Sequence, residues 1–238
     1  MSNKLKIVRK ADLSEYESAE FCMANFDYVI FDFDGTVADT GEGILKSLQY
    51  SFVAMGDPAP DLSDLKKFIG PPVYYSYTNF YGISEDKVDL YVKKYRERYR
   101  EKGIHESKVY DGLVELIYSL KEKGVKVGIA SSKPENLIYS VADYLKITDL
   151  FDAIVGVKSD NSKHSTKAGL ISQAMLDLGA ADKEKVLMVG DRCFDIDGAH
   201  EAGVKCCGVL WGYGDKAEFE QHNAEYIVEK KKEIENLI

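Results

Sequence analysis

Short apolar runs recur along the chain, each closing in polar or glycine-rich residues. The runs FDYVIFD (26–32), VKVGIAS (125–131), AIVGV (153–157), VLMVGD (186–191) and VKCCGVL (204–210) predict strands, and YIV (226–228) predicts a sixth. Helical patterns follow at about 134–145, 167–178, 195–202 and 230–237. Strands alternating with helices imply a parallel sheet covered on both faces, and the strands of such sheets read as nearly continuous apolar runs, as these do. The alternation fails between about 43 and 106. That block reads as helices only: GILKSLQYSFVAMG, DLSDLKKFIG, PPVYYSYTNFYG and SEDKVDLYVKKYRERYREKG. In the last of these, Val88, Tyr91, Val92, Tyr95 and Tyr99 share one helical face, Ser84 is a candidate N-cap, and Gly103 ends the pattern. The expected fold is therefore α/β, a Rossmann-like parallel sheet with an inserted α-helical cap. The expected division is an N-terminal extension at 1–25, a core at 26–42 and 107–238, and the cap at 43–106. Within the extension, Ser14 and Glu17 fit a capping box and predict a helix at about 15–24, while Met23 is an alternative start of the chain.

Charge and composition narrow the picture. The 238 residues carry a formal charge of -9, which disfavours nucleic acid and anionic membranes as partners. No apolar run approaches a membrane span, and the charged N-terminus lacks a signal-peptide core. Cys22, Cys193, Cys206 and Cys207 form no CxxC pair and are read as reduced thiols of a cytoplasmic protein. The adjacent Cys206 and Cys207 should point to opposite faces of their strand. His105, His164, His200 and His222 are scattered without metal-ligand spacing.

In open α/β sheets, ligands bind beyond the carboxyl ends of the strands. The polar residues there are Asp32 and Asp34 after the first strand, Ser131 after the second, and Asp191 and Asp195 at the fourth, with Lys167 opening the helix after the third. Acids alone on one rim would repel each other. A hard divalent cation, Mg2+ in particular, resolves this, and a lysine beside such a site suits a phosphoryl anion. Two acids two residues apart can also divide labour: one attacks phosphorus, and the other moves protons to the leaving oxygen and from water. Gly35 permits close backbone approach, and Thr36 offers a hydroxyl and a helix start. Ser132, Lys133 and Arg192 lie in the same loops as substrate contacts or loop-shaping residues.

DFDGT, IASSKP, Lys167 and GDRCFD, in this order and spacing, resemble the four motifs of the haloacid dehalogenase superfamily. FIGPP, VYDG, SSKPE, VGDRCFDIDGA and GVLWGYG are similar to its phosphoglycolate-phosphatase-like branch, which includes 5′-nucleotidases. The resemblance implies Asp32 as nucleophile, Asp34 as acid/base, and Ser131 and Lys167 on the phosphoryl oxygens. It implies Mg2+ on Asp32, Asp191 and the backbone carbonyl of Asp34, with Asp195 supporting that shell. Phe33 stands where Leu is usual, Ser131 where Thr is common, and Lys163 competes with Lys167 for the lysine role. The expected activity is hydrolysis of a small phosphorylated metabolite through an aspartyl-phosphate, by a monomer or homodimer.

Rivals remain. A sugar phosphomutase shares every core motif. A dehalogenase needs no second acid such as Asp34, and a phosphonate-cleaving enzyme would need a reactive lysine among Lys46, Lys66 and Lys67. A non-catalytic binding or regulatory protein would have no reason to keep every catalytic position filled. The aromatic run VYYSYTNFY (73–81) reads as cap core or as a base-stacking surface, and KKYRERYR as a solvated helix face.

Overall fold

The computed structural model describes residues 26–158 and 165–238. The helix expected at 15–24, Cys22, Lys163 and His164 lie outside the described residues. In chain order the elements are β1 (Tyr28–Phe31), β2 (Ala38–Asp39), α1 (Gly41–Ala54), α2 (Leu62–Leu65), α3 (Val73–Tyr81), α4 (Glu85–Glu101), β3 (Lys108–Val109), α5 (Leu113–Glu122), β4 (Lys126–Pro134), α6 (Glu135–Leu145), β5 (Ala153–Val157), α7 (Lys167–Leu178), β6 (Val186–Gly190), α8 (Cys193–Ala202), β7 (Lys205–Val209), α9 (Lys216–Gln221), β8 (Tyr226–Val228) and α10 (Lys231–Glu235).

Six strands form one sheet in the order β5-β4-β1-β6-β7-β8, with every pairing parallel. The apolar runs explain why. Alternate residues enter two cores, one on each face: Val29, Phe31, Val127, Ile129, Leu187 and Val189 on one, and Ile30, Ala130, Val186 and Met188 on the other. Cys207 joins the first core and Cys206 the second, as their adjacency in a strand requires. Each fully buried large side chain here contributes about 1.5–3 kcal/mol over an exposed one. The chain builds outward from β1 to β4 and β5, then returns to place β6 on the other side of β1. The order therefore reverses at β1, where a ligand crevice opens beyond the strand ends.

Helices α1 to α4 form the expected insertion. A two-stranded antiparallel ribbon joins it to the sheet, Ala38 facing Val109 and Asp39 facing Lys108. All five residues of the expected face of α4 are buried. The rings of Phe52, Phe68, Tyr77, Tyr81 and Tyr91 pack at centroid distances of 4.8 to 5.6 Å. Of the tyrosines in 73–81, Tyr77 is therefore core, whereas Tyr75 is exposed. KKYRERYR is solvated at Lys93, Glu97 and Arg100, while Arg98 turns inward to Glu106 and the Ser47 hydroxyl.

Thr36 does not start a helix. The amides of Val37 and Ala38 both donate to the Phe33 carbonyl, the chain runs into β2, and the helix begins at Gly41 after Thr40. Inside α1, a methyl group on Gly43 would lie 2.3 Å from the Gly103 carbonyl oxygen, which belongs to a 3-10 turn after α4. In an open helix Gly→Ala gains about 1 kcal/mol. Here Gly43→Ala is expected to lose about 1–3 kcal/mol through overpacking. Urea unfolding measures this, and a gain in stability would contradict the close crossing.

Candidate active site

The site forms where β1 stops. The Asp32 amide donates to the Val189 carbonyl at 2.8 Å, so the strand pairing carries the first acid to the rim. The chain then turns through Gly35, whose φ of +93° is a left-handed value. A side chain there would also meet the Asp191 carboxylate at 2.3 Å. Gly35 thus lets the acids after β1 and β6 approach each other. Lys167 is the first residue of α7, which starts cleanly because the Thr166 hydroxyl accepts the Gly169 amide. Asp195 sits in the first turn of α8 and accepts the Arg192 amide at 3.0 Å.

These elements bring Asp32, Asp191 and Asp195 together with oxygens within 4.8 Å of one another, all buried. Among the described residues they are the group of acids able to hold a metal ion. Lys167 Nζ lies 2.6 Å from Asp32 Oδ1 and 2.7 Å from Asp195 Oδ1. Asp191 accepts from the Thr36 hydroxyl at 2.9 Å and from the Tyr213 amide at 2.9 Å.

Burial pushes the Asp32 carboxyl up to about 6; the Lys167 ammonium opposes this, while Asp195 and Asp34 add to it. Burial, then Asp195 and Asp32, hold Asp191 well above the usual carboxylate range. Burial pulls the Lys167 ammonium down, but Asp195 and Asp32 outweigh it and raise it above an ordinary lysine. One ammonium thus stands against three close carboxylates, which leaves the nest short of positive charge. The donors are hard oxygens, which suits a divalent cation of the Mg2+ kind.

Asp34 behaves differently. Its carboxylate is not part of the nest. Oδ1 accepts the Thr40 hydroxyl at 2.6 Å and Lys133 Nζ at 2.9 Å, and Oδ2 lies 3.1 Å from the same ammonium. A side-chain metal role for Asp34 does not fit this direction, and its backbone carbonyl is the part left to such a role.

The other expected residues divide. Ser131 is buried on β4 beside β1, and its Oγ accepts the Lys133 amide at 3.4 Å. The β4 register shifts between Ala130 and Pro134, and Ser132, Lys133 and Pro134 line a cleft between insertion and sheet. That cleft encloses about 510 Å³, with Asp34 at one side and Phe68, Tyr74, Tyr75 and Phe194 among its walls. Thr36 is fully buried on Asp191, which removes it from direct contact with a ligand. Arg192 takes the loop-shaping reading: Nε donates to Glu218 at 3.0 Å and Nη1 to the Ile69 carbonyl at 2.6 Å, tying the fourth-motif loop to the insertion. Cys193 is held through its amide by Glu218 and takes no part in the nest. Lys46 pairs with Glu42 and Lys67 lies over the Phe80 and Tyr81 rings, so neither lines the cleft.

Sequence reasoning missed Thr40, Tyr99 and Tyr213. Thr40 had a signal, since a threonine before a helical run is an N-cap candidate. Tyr213 contributes its amide, which carries no residue signature.

Comparison with known proteins places this geometry in a family. The family model for haloacid dehalogenase-like hydrolases matches residues 29–209. The chain belongs to that family. A 5′-nucleotidase of Pseudomonas aeruginosa is 37% identical over 194 residues, covering 82% of this chain and 87% of that protein. The tyrosine-protein kinase PtkA of Mycobacterium tuberculosis is 31% identical over 209 residues, covering 88% and 70%. A crystal structure described as a predicted phosphatase from Clostridium acetobutylicum superimposes with a TM-score of 0.84 at 38% identity, covering 88% of this chain and 96% of that one. The protein is accordingly an enzyme, a hydrolase of the phosphatase kind. Among the described residues, no helix is long and apolar enough to cross a membrane.

The charge imbalance makes a testable statement. Asp191→Asn removes one of three mutually repelling carboxylates; the amide oxygen can keep the Tyr213 amide, while its NH2 can donate to the Thr36 hydroxyl once that hydroxyl rotates. In a chelator the variant is expected to gain about 1–3 kcal/mol, which is several degrees in Tm for a chain of this size. The rise in Tm that a divalent cation gives the parent protein should shrink or vanish. Thermal unfolding with and without Mg2+ measures both, and a variant that loses stability in chelator would contradict the imbalance.

Proposed function

We propose that the protein is a Mg2+-dependent phosphatase that hydrolyses a small phosphomonoester through an aspartyl-phosphate on Asp32. The observation that supports this most is the contact of Lys167 with both Asp32 and Asp195 inside the acid nest. A carboxylate so placed has a cation beside it to receive the phosphoryl anion, and a rigid strand end behind it.

Asp32 would attack phosphorus as the bond to the leaving oxygen breaks. Asp34, outside the nest and facing the cleft, would protonate that oxygen and later take a proton from the water that hydrolyses the acyl phosphate. Ser131 and Lys167 would hold the phosphoryl oxygens. Asp32, Asp191 and the Asp34 carbonyl would hold Mg2+, with Asp195 supporting; the bound ion would neutralise negative charge around the transferred group. The insertion, read as a cap domain, would exclude water and select the leaving group in the cleft. The similarity to a 5′-nucleotidase and the phosphoglycolate-phosphatase-like motifs make nucleoside monophosphates and phosphoglycolate the first substrates to try. The expected setting is the cytoplasm, as a monomer or homodimer.

A second reading has its own support in the relative named as a kinase: the phosphoryl group could pass to an acceptor other than water, as in a phosphomutase. Release of free phosphate with no added acceptor separates the two.

The test is a phosphate-release screen over nucleoside monophosphates, phosphoglycolate and sugar phosphates, with and without Mg2+. Turnover is expected only with the metal, and Asp32→Asn should abolish it. Asp34→Asn should cut kcat by roughly 10²–10⁴-fold while Mg2+ affinity, read by titration calorimetry, changes little. Comparable loss of metal binding would contradict the division between the two acids.

A further inference from the structure

Lys133 is almost fully buried, and its ammonium reaches across the cleft floor to groups from two other parts of the chain. It donates to both oxygens of Asp34, at 2.9 and 3.1 Å, and to the Tyr99 hydroxyl at 2.8 Å. Tyr99 belongs to the last turns of α4 in the insertion and is fully buried. Its ring stacks on Tyr95 at 5.5 Å and lies 4.4 Å from the same ammonium. Tyr99 is therefore fixed by packing before it meets Lys133, and a buried amine with so few partners has little freedom of its own.

Asp34 needs such support. Its loop follows β1, and the one hydrogen bond its side chain receives from nearby in sequence comes from Thr40. A carboxylate held at one oxygen can still rotate about its Cβ–Cγ bond, whereas a donor that also reaches the second oxygen restrains that rotation. Lys133 supplies that donor from a residue 99 positions away. Oδ1 then carries two partners and Oδ2 one, while Asp34 lines the cleft.

We propose that Lys133 and Tyr99 are positioning residues for Asp34: the insertion, through the Tyr99 hydroxyl, sets the lysine that aims the acid/base at the leaving oxygen. The inference rests on the phosphatase reading and goes beyond it, because it makes proton transfer depend on a residue of the insertion that touches no reacting atom. It also reassigns Lys133 from substrate contact to support of Asp34.

The experiment compares two leaving groups. An alkyl phosphate needs a proton on its departing oxygen, whereas p-nitrophenyl phosphate departs as a stable anion and does not. Lys133→Met is expected to lower the first-turnover rate with the alkyl ester by roughly 10²–10³-fold, within the range of general acid catalysis. Its burst of p-nitrophenolate should fall by less than about tenfold, as expected when proton donation matters little to that ester. Inhibition by inorganic phosphate should stay within about threefold, since a positioning role leaves ground-state binding intact. Tyr99→Phe keeps the ring and should show the same selectivity in milder form, and Lys133→Arg should recover part of the alkyl rate. Circular dichroism and Tm confirm that each variant is folded. Equal losses with both esters, or weakened phosphate inhibition, would overturn the positioning role and return Lys133 to substrate binding. Absence of turnover in the parent protein would instead bring down the phosphatase reading itself.

Discussion

Three carboxylates buried within 4.8 Å of one another, with one ammonium between two of them, set the terms for everything else in this molecule. Such a group is unfavourable in an apolar interior unless opposite charge and hydrogen bonds surround it. The fold supplies what it can: Lys167 from the start of α7, the Thr36 hydroxyl, and the amides of Arg192 and Tyr213. What it does not supply is enough positive charge. In the proposed function, that shortfall would give the nest affinity for a divalent cation and, with the cation bound, for a phosphoryl anion. On that proposal, catalysis would draw on an electrostatic defect that the surrounding sheet is stable enough to tolerate.

The sheet topology explains why the defect sits where it does. Reversal of strand order at β1 opens a crevice between the ends of β4 and β6, and Asp32, Ser131 and Asp191 lie along it. The insertion leaves the chain immediately afterwards through the β2–β3 ribbon, so it overhangs the same crevice. Several side chains tie the two together around the cleft. Arg192 reaches the Ile69 carbonyl, Lys133 reaches Tyr99, and the Tyr213 hydroxyl donates to Asp39 of the ribbon at 2.6 Å while its amide holds Asp191. These polar contacts add to an apolar cluster that is continuous from the sheet residues Phe31, Phe33 and Leu137 into the insertion residues Ile44, Phe68 and Tyr99, so the position of the insertion and the position of the acids are linked.

Much of this was legible in the residues. The six strands, the helical insertion and the buried face of α4 follow from apolar periodicity. The nest follows from where the acids fall at strand ends. The two-residue strands β2 and β3 carry no period long enough to detect, and they exist because the ends of the insertion must come together. Helix α5 has a readable signature in Leu113, Leu116, Ile117 and Leu120, all buried at helical spacing. Helix α9 has one in Asp215, whose side chain accepts the Glu218 amide at 2.9 Å. The roles of Arg192, Lys133 and Tyr99 could not be read in this way. Their partners lie 26 to 123 positions distant, and an arginine, lysine or tyrosine in isolation does not say what it will meet.

The central claim is that Asp32 becomes covalently phosphorylated. Rapid acid quench during turnover, followed by borohydride reduction of the acyl phosphate and mass spectrometry of the digest, reads this directly. The account requires the peptide holding Asp32 to carry homoserine at that position, with Asp34 unmodified. Steady turnover with modification at another residue, or with none at any, would contradict it.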